Sequence, residues 1–285
     1  MVTARAAFLA AREQLEKAGI EDAAFDAAQL CRIAGAPAPQ LDPDAVLTAG
    51  QQQRLQALTA RRAAHEPLQY LAGEWDFFDF TVAVGPGVLI PRADSECVAE
   101  LAIAAAREKP APTVLDLCSG TGALALAVAL HVPAAAVTAL EVSGAAFAYL
   151  EQNNARYGAP LALVQADVFT WAPGENAWDV VVSNPPYVTE EEYRALAPEL
   201  LAEPKLALTA PQEGLAFYQH IAPAYWPALR PGGALVLEIG DTQGPAVAAL
   251  CRAAGYMDVQ VHRDLAGNPR AVTARKPSAL RGPWR

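Results

Sequence analysis

The sequence contains 285 residues, 53% of them hydrophobic, and carries a net charge of -10 at pH 7. This length is sufficient for one large domain and one small domain with a sizeable core. Lysine and arginine together number only 21. This count argues against a protein that binds phosphate backbones through positively charged side chains. No direct nucleic-acid partner is therefore expected.

The cysteines and the apolar segments exclude further classes. The four cysteines are Cys31, Cys97, Cys118 and Cys251. They include no C-x-x-C pair, so neither a zinc site nor a disulfide framework is predicted. The N-terminal segment lacks the continuous apolar stretch of a signal peptide, and the apolar stretch 122–142 is interrupted by His131 and Pro133. These patterns predict a cytoplasmic protein with no bound metal and no membrane segment.

Residues 1–72 have the composition and spacing of short helices. Apolar residues recur at three- and four-residue intervals, which marks the apolar face of an amphipathic helix. The first run includes Leu9 and Leu15, and the second includes Phe25 and Leu30. We predict a small helical domain of about four helices.

The rest of the chain has a mixed pattern. Over residues 73–90, aromatic and β-branched residues alternate around Gly85-Pro86-Gly87, which predicts a β-hairpin that connects two domains. Over residues 91–276, strand patterns alternate with helical ones, as in a largely parallel sheet covered on both faces. The predicted strands are 113–117, 136–141, 161–166, 179–184, 234–239 and 257–262. We expect residues 277–285 to form a loosely ordered tail.

A glycine turn follows the first of these strands. The segment Cys118-Ser119-Gly120-Thr121-Gly122 leads directly into an apolar helical pattern. In an open α/β sheet, such a turn lies at the carboxyl edge, where ligands bind, and glycine lets the backbone approach a cofactor closely. Taken alone, the glycines suit an ordinary tight turn equally well.

Two acidic residues end the next two strands. Glu141 lies 19 residues after Gly122, close to the offset of about 20 at which a carboxylate meets ribose hydroxyls. Asp167 suits an adenine amino group, with Val168 and Phe169 as apolar walls. Separately, Glu141 would also suit a solvated strand end and Asp167 a turn cap. Because all these features converge on one sheet edge, they favour an adenosine-containing cofactor.

The glycine spacing distinguishes between cofactors of this class. NAD is usually bound by G-x-G-x-x-G, but the residues that follow Gly122 are Ala123-Leu124-Ala125. The spacing from Asp116 through Gly120 to Gly122 instead resembles the motif of class I S-adenosyl-L-methionine-dependent methyltransferases. That resemblance implies S-adenosyl-L-methionine as cofactor and S-adenosyl-L-homocysteine as product.

The fourth strand ends in Asn184-Pro185-Pro186-Tyr187. The prolines restrict Asn184 to an extended backbone and stiffen the carbonyl groups that follow it. An NH2 group conjugated to a carbonyl or a ring offers two N–H donors and a poorly nucleophilic lone pair. We expect the Asn184 side-chain oxygen and the Pro185 carbonyl to accept hydrogen bonds from those two N–H donors while Tyr187 packs on the planar group. Catalysis would then come mainly from positioning. A proline-rich turn is the simpler alternative, but it leaves the asparagine and the aromatic residue unexplained.

The whole set of motifs resembles the HemK-type N5-glutamine methyltransferases, which methylate the glutamine of the Gly-Gly-Gln loop in peptide chain release factors. The resemblance covers about residues 66–276. Its landmarks besides Asn-Pro-Pro-Tyr are Glu66-Pro67, Leu89-Ile90-Pro91-Arg92, Glu203-Pro204, Asp264-Leu265 and Arg270. It implies a Rossmann-like seven-stranded sheet, a helical N-terminal domain that helps to dock the protein substrate, and a release factor as partner.

The resemblance also implies roles for individual residues. Cys118 through Gly122 and Glu141 are expected to bind the cofactor, with Asn184 at its edge, and Asn184 through Tyr187 to bind the glutamine. Val168 occupies a position that is often aromatic in the family and should stack less on adenine. Arg92 is expected either to meet a carboxylate of cofactor or substrate or to form an ordinary surface ion pair.

Other functions would use the same hydrogen-bonding geometry around the NH2 nitrogen of the substrate. A glutamine of a ribosomal protein is one alternative substrate. The adenine N6 amino group is another, but a flipped base calls for a basic groove that this acidic chain does not visibly offer. A non-catalytic binding module that retained the fold is an alternative of a different class.

Overall fold

The computed structural model describes residues 1–278; most of the predicted tail lies outside the described residues. The chain forms two compact units. The first contains Met1–Trp75 and Ala197–Ala202, and the second contains Asp76–Leu196 and the described residues 203–278.

Helices and strands alternate through most of the described chain. The helices are α1 (Ala4–Lys17), α2 (Ala23–Ile33), α3 (Ala49–Ala63), α4 (Leu68–Ala72), α5 (Glu96–Arg107), α6 (Ala123–His131), α7 (Gly144–Arg156), α8 (Glu190–Arg194), α9 (Pro198–Leu201), α10 (Lys205–Leu208), α11 (Ala216–Tyr225) and α12 (Gly244–Ala253), with a 3-10 turn at Ala93–Ser95. The strands are β1 (Glu74–Phe77), β2 (Phe80–Ala83), β3 (Thr113–Leu117), β4 (Ala136–Glu141), β5 (Leu161–Gln165), β6 (Trp178–Ser183), β7 (Leu229–Glu238), β8 (Met257–Arg263) and β9 (Pro269–Arg275).

The predicted helical region is confirmed, but the buried faces of its helices differ from the prediction. In α1 the buried residues are alanines together with Leu15, whereas Leu9 is 49% exposed. In α2, Phe25 is 52% exposed although Leu30 is buried. Small alanine side chains let helices approach closely, so they form the helix contacts while larger side chains remain at the surface. A buried ion pair between Arg62 and Asp26 also lies in this unit, at 2.6 Å.

The second unit contains a seven-stranded sheet in the order β5-β4-β3-β6-β7-β9-β8, and β1 and β2 form a separate two-stranded sheet. The seven-stranded architecture and a pair of strands within residues 73–90 are thus confirmed. The turn between these two strands lies at Phe78-Asp79, however, and Gly85-Pro86-Gly87 follows β2 instead of forming the turn. The first five strands of the large sheet are parallel, and β9 is antiparallel to both of its neighbours. The strand pattern in the sequence did not predict β9.

The strand order reverses between β3 and β6. The chain proceeds from β3 to β4 and β5 on one side, then returns to β6 and β7 on the other. In open α/β sheets, the crevice at the carboxyl ends of such a strand pair is the usual ligand site. The core beneath it contains fully buried apolar side chains from β3, β6 and β7 and from α11.

The apolar stretch at 122–142 forms the short buried helix α6 and the strand β4. Among residues 1–278, no helix has the length and apolar character needed to cross a membrane.

Candidate active site

A cavity of about 240 Å³ lies at the carboxyl edge of the sheet. It brings together most of the site residues predicted from the sequence: Cys118, Ser119, Gly120, Thr121, Glu141, Asp167, Val168, Asn184 and Pro186. The remaining five, Asp116, Gly122, Pro185, Tyr187 and Arg92, are not among the residues that line it. Ser95, Leu206 and Phe217, which the motifs did not single out, also line the cavity.

The glycine turn after β3 has a left-handed backbone at several positions. Gly122 has a φ of +83°, and a Cβ there would lie 2.5 Å from Leu150 Cδ1, so both conformation and space favour glycine. Cys118 has a φ of 58° despite its side chain. A left-handed conformation costs a non-glycine residue about 1–2 kcal/mol. The turn therefore keeps its left-handed geometry with a cysteine at this position.

Glu141 is a buried, hydrogen-bonded carboxylate rather than a solvated strand end. Its Oε2 accepts from the Gly120 amide and its Oε1 from the Ser143 amide, both at 2.8 Å. The residue is only 7% exposed and lines the cavity. Each carboxylate oxygen has a second lone pair, so the fixed group is able to accept further hydrogen bonds from ligand hydroxyls.

Asp167 and the residues after it form another wall. Asp167 Oδ1 accepts from the Phe169 amide at 2.9 Å. The carboxylate therefore caps the turn, which was the alternative role considered for it from the sequence. Val168 is buried, and the Phe169 ring packs against Phe217 with ring centroids 4.9 Å apart. Phe217 lies on α11, and no sequence motif connects it with the strand ends.

The segment after β6 is held from both sides. The backbone amides of Tyr187 and Val188 donate to Leu208 O at 3.1 and 2.8 Å, and Gln243 Nε2 donates to Tyr187 O at 3.1 Å. Asn184 is half-buried, lines the cavity and donates from Nδ2 to Ser95 Oγ at 3.3 Å. The structure therefore fixes both the backbone of this segment and the side-chain amide of Asn184.

Two carboxyl groups near the cavity are almost fully buried. Asp116 is 0% exposed and Glu238 is 2% exposed, and burial raises the pKa of each to about 7. Within residues 1–278, the two side-chain oxygens of Asp116 have no hydrogen-bond partner. The same is true of Glu238 Oε2. Sequence reasoning missed Glu238, although it is the one acidic residue in the otherwise apolar predicted strand 234–239.

Other ionisable groups are held in their ordinary states. Burial, together with the nearby Glu141 and Asp116 carboxylates, raises the pKa of the Cys118 thiol, so it remains protonated. Burial likewise raises the pKa of Tyr187 to about 12. Neither side chain is therefore an anionic nucleophile at neutral pH.

Arg92 pairs with a carboxylate of this chain. Its guanidinium contacts Glu203 and also donates to Ile90 O at 2.9 Å, while Glu203 Oε2 accepts from the Ile90 amide at 2.8 Å. Glu203 is buried, so the pair fixes the loop before the Ala93–Ser95 turn. A direct contact between Arg92 and substrate remains a prediction.

The described residues contain no group of three or more His, Cys, Asp or Glu side chains that would hold a metal ion. The four cysteines are free thiols. The arrangement offers fixed acceptors, apolar walls and buried carboxyl groups, which are suited to binding and positioning a ligand.

Comparison with known proteins assigns the family. Family models described as "PrmC N-terminal domain" and "Methyltransferase small domain" match residues 6–73 and 95–214. A methyltransferase structure from Pyrococcus furiosus aligns over 69% of this chain and 88% of that chain, with a TM-score of 0.53 and 18% identity, which supports the class I methyltransferase fold. The release factor glutamine methyltransferase of Cereibacter sphaeroides is 40% identical, over 96% of this chain and 98% of that protein. The Vibrio cholerae protein of the same name is 37% identical, over 95% and 96%. Since these similarities span nearly the whole chain, it belongs to the release factor glutamine methyltransferase family.

Proposed function

We propose that this protein transfers a methyl group from S-adenosyl-L-methionine to the side-chain amide nitrogen of the glutamine in the Gly-Gly-Gln loop of a peptide chain release factor. The observation that carries the proposal is the position of Asn184. This side chain lies in the same cavity as the glycine turn and the two carboxylates Glu141 and Asp167. A cofactor site and an acceptor for a planar amide thus lie side by side.

The cavity residues fit the cofactor chemically. Glu141 offers fixed oxygens to ribose hydroxyls, while Asp167 with Val168 suits the amino group and the face of adenine. Burial raises the pKa of the Asp116 carboxyl to about 7, and a positively charged group nearby would stabilise its ionised form. When bound, the cofactor supplies an electrophilic methyl group on a sulfonium centre.

The Asn184-Pro185-Pro186-Tyr187 segment accounts for recognition of the substrate amide. The Asn184 side-chain oxygen and the Pro185 carbonyl accept hydrogen bonds from the two N–H groups of the substrate amide. The lone pair of the amide nitrogen therefore faces the methyl group. No strong base is needed before transfer, because the methylated nitrogen loses a proton readily once its lone pair is used. The contribution of the chain is therefore orientation and proximity, with Tyr187 packing beside the planar group.

The N-terminal region supports a protein substrate. Residues 6–73 match the family model described as "PrmC N-terminal domain", and we propose residues 1–72 as the docking domain, 73–90 as the connector and 91–276 as the methyltransferase domain. The net charge of -10 favours this partner over nucleic acid. The free cysteines support a reducing, cytoplasmic location.

The direct test uses purified protein, labelled cofactor and a purified release factor. A matched release factor with Gln replaced by Ala in its Gly-Gly-Gln loop serves as control, and mass spectrometry locates the methyl group. Methylation of that glutamine only supports the proposal. Transfer to the Ala variant, or transfer only to a ribosomal protein or to adenine, would contradict it.

Asn184→Ala separates recognition of the amide from binding of the cofactor. We expect turnover to be abolished while cofactor affinity by isothermal titration stays within about tenfold, or roughly 1.4 kcal/mol. Substantial turnover by this variant would refute the role of Asn184. Failure of the unmodified protein to bind the cofactor at all would instead favour a non-catalytic binding module.

A further inference from the structure

Ser95 lies between the cavity and the buried carboxyl group of Glu238. The residue ends the Ala93–Ser95 turn, is 4% exposed and lines the cavity. Its Oγ accepts from Asn184 Nδ2 at 3.3 Å. Having accepted this hydrogen bond, the Ser95 hydroxyl still has its own proton to donate.

Glu238 is placed by the sheet register on the other side of this hydroxyl. Ser183 of β6 pairs with Leu237 of β7, so Asn184 is level with Glu238 at the sheet edge. The Ser95 hydroxyl lies near enough to the Glu238 carboxyl to lower its pKa, and Glu238 Oε2 has no hydrogen-bond partner within the described residues. Glu238 is not among the residues that line the cavity, so it reaches the substrate only through others.

We propose that Glu238 and Ser95 are positioning residues that hold Asn184 in its productive orientation. The Ser95 hydroxyl donates a hydrogen bond to the Glu238 carboxylate, so Ser95 Oγ accepts from Asn184 Nδ2, and Asn184 Oδ1 is left to accept from the substrate amide. This inference rests on the proposed function, because the substrate amide is what makes one orientation productive.

The carboxylate is needed because the other two groups are ambiguous. A hydroxyl both donates and accepts, and a side-chain amide presents an oxygen and a nitrogen of nearly equal shape. If Ser95 donated to Asn184, the amide would turn its nitrogen toward the substrate, whose own N–H groups would then face donors. An ionised carboxylate only accepts, so it sets the direction of the whole chain of hydrogen bonds.

The protonation state of Glu238 therefore affects turnover. Burial raises its pKa to about 7, whereas the Ser95 hydrogen bond and the Arg270 and Arg92 charges lower it and Asp94 raises it. The titratable and charged groups that face it are Arg92, Asp94, Cys97, Tyr187, Tyr218 and Arg270. Once protonated, Glu238 is able to donate to Ser95, and the direction of the hydrogen bonds from Ser95 to Asn184 is no longer fixed. We expect kcat to decrease as the pH is lowered through about 7.

The experiment compares Ser95→Ala, Ser95→Thr and Glu238→Gln with the unmodified protein. Asp179→Asn is the matched control, because Asp179 is a buried carboxylate paired with Arg230 near the opposite end of β6. For each protein, kcat and KM for the release factor are measured at saturating cofactor from about pH 6 to about pH 8. Cofactor affinity by isothermal titration and the thermal midpoint are measured alongside.

Ser95→Ala should lower kcat by about 10- to 100-fold, as expected for loss of a hydrogen bond linked to a charged group, with cofactor affinity unchanged. Ser95→Thr retains the hydroxyl and should restore most of the activity. Glu238→Gln should reduce kcat and remove its dependence on pH in this range. If Glu238→Gln fails to fold, Ser95→Ala decides the question, since its remaining activity should show the same loss of pH dependence.

Several outcomes would overturn the inference. A Ser95→Ala variant with unchanged kcat, or one that Ser95→Thr does not rescue, excludes the hydroxyl. A pH profile that persists in Glu238→Gln assigns the titration to another group, such as Asp116. Loss of activity equal to that of Asp179→Asn indicates general destabilisation. If the unmodified protein methylates no release factor, it is the proposed function that fails.

Discussion

Replacement of Gly214 by alanine is expected to disturb the segment that holds the substrate amide. A Cβ at this position would lie 2.2 Å from the Tyr187 carbonyl oxygen and 2.6 Å from Gln243 Nε2, which itself donates to that oxygen. Such a short contact with a backbone atom is relieved only if the Tyr187 carbonyl shifts by roughly 1 Å. A displacement of about 1 Å in a group that positions the substrate lowers activity by about 100-fold.

The backbone conformation adds a separate effect on stability. Gly214 has a φ of +76°, so alanine there also incurs the left-handed penalty of about 1–2 kcal/mol. Gly158→Ala is the matched control, because Gly158 has a φ of +82° but no atom lies within 4 Å of its added Cβ. Both variants should be destabilised in urea denaturation, and only Gly214→Ala should lose about 100-fold in kcat/KM for the release factor. Equal activities of the two variants would refute the argument.

Three further predictions concern buried groups. Burial raises the pKa of the Asp116 carboxyl to about 7. Its contribution to stability is therefore full below the pKa of the unfolded chain, near 4, and is lost as the pH rises through about 7. Urea titrations over that pH range should show the unmodified protein losing up to about 4 kcal/mol of unfolding free energy relative to Asp116→Asn. A constant difference would contradict this. Glu203→Gln should destabilise by about 1–3 kcal/mol in urea, less than for a fully buried pair because the Arg92 side chain is 35% exposed; an unchanged midpoint would argue against the pair. Iodoacetamide at mildly alkaline pH should label the folded protein far more slowly than the unfolded chain, because burial raises the pKa of every cysteine thiol and only thiolates react; rapid labelling of the folded chain would contradict it. The affected thiols are Cys31, Cys97, Cys118 and Cys251.

The sheet edge was predictable because it depends on local signals. The apolar strands, the glycine turn and the acidic residues at the end of β4 and after β5 are each visible within a few residues of sequence. In a doubly wound sheet, the carboxyl ends of neighbouring parallel strands meet at one edge. Glu141, Asp167 and Asn184 therefore share a cavity, as expected from their positions at the carboxyl ends of successive strands.

The missed features depend on contacts between distant segments. β9 begins with Pro269 and pairs antiparallel to β7 and β8, so its role depends on neighbours rather than on its own pattern. The helix faces in the N-terminal unit were misassigned because alanine carries little hydrophobic signal and yet allows close packing. Ser95 and Phe217 reach the cavity from a turn and a helix that no motif linked to the glycine turn.

The chemistry explains why the important contacts are spread in this way. An amide nitrogen gains little from a base before its lone pair is used, so the rate depends on how rigidly the acceptors are held. Rigidity at Asn184 comes from the two prolines within the motif and from Leu208, Gln243 and Ser95 outside it. Leu208 acts through its backbone carbonyl, which a substitution leaves in place, whereas Gln243 and Ser95 act through their side chains. Substitutions of Gln243 or Ser95 should therefore reduce kcat with the release factor while leaving cofactor affinity nearly unchanged, a pattern that distinguishes loss of orientation from loss of the cofactor site.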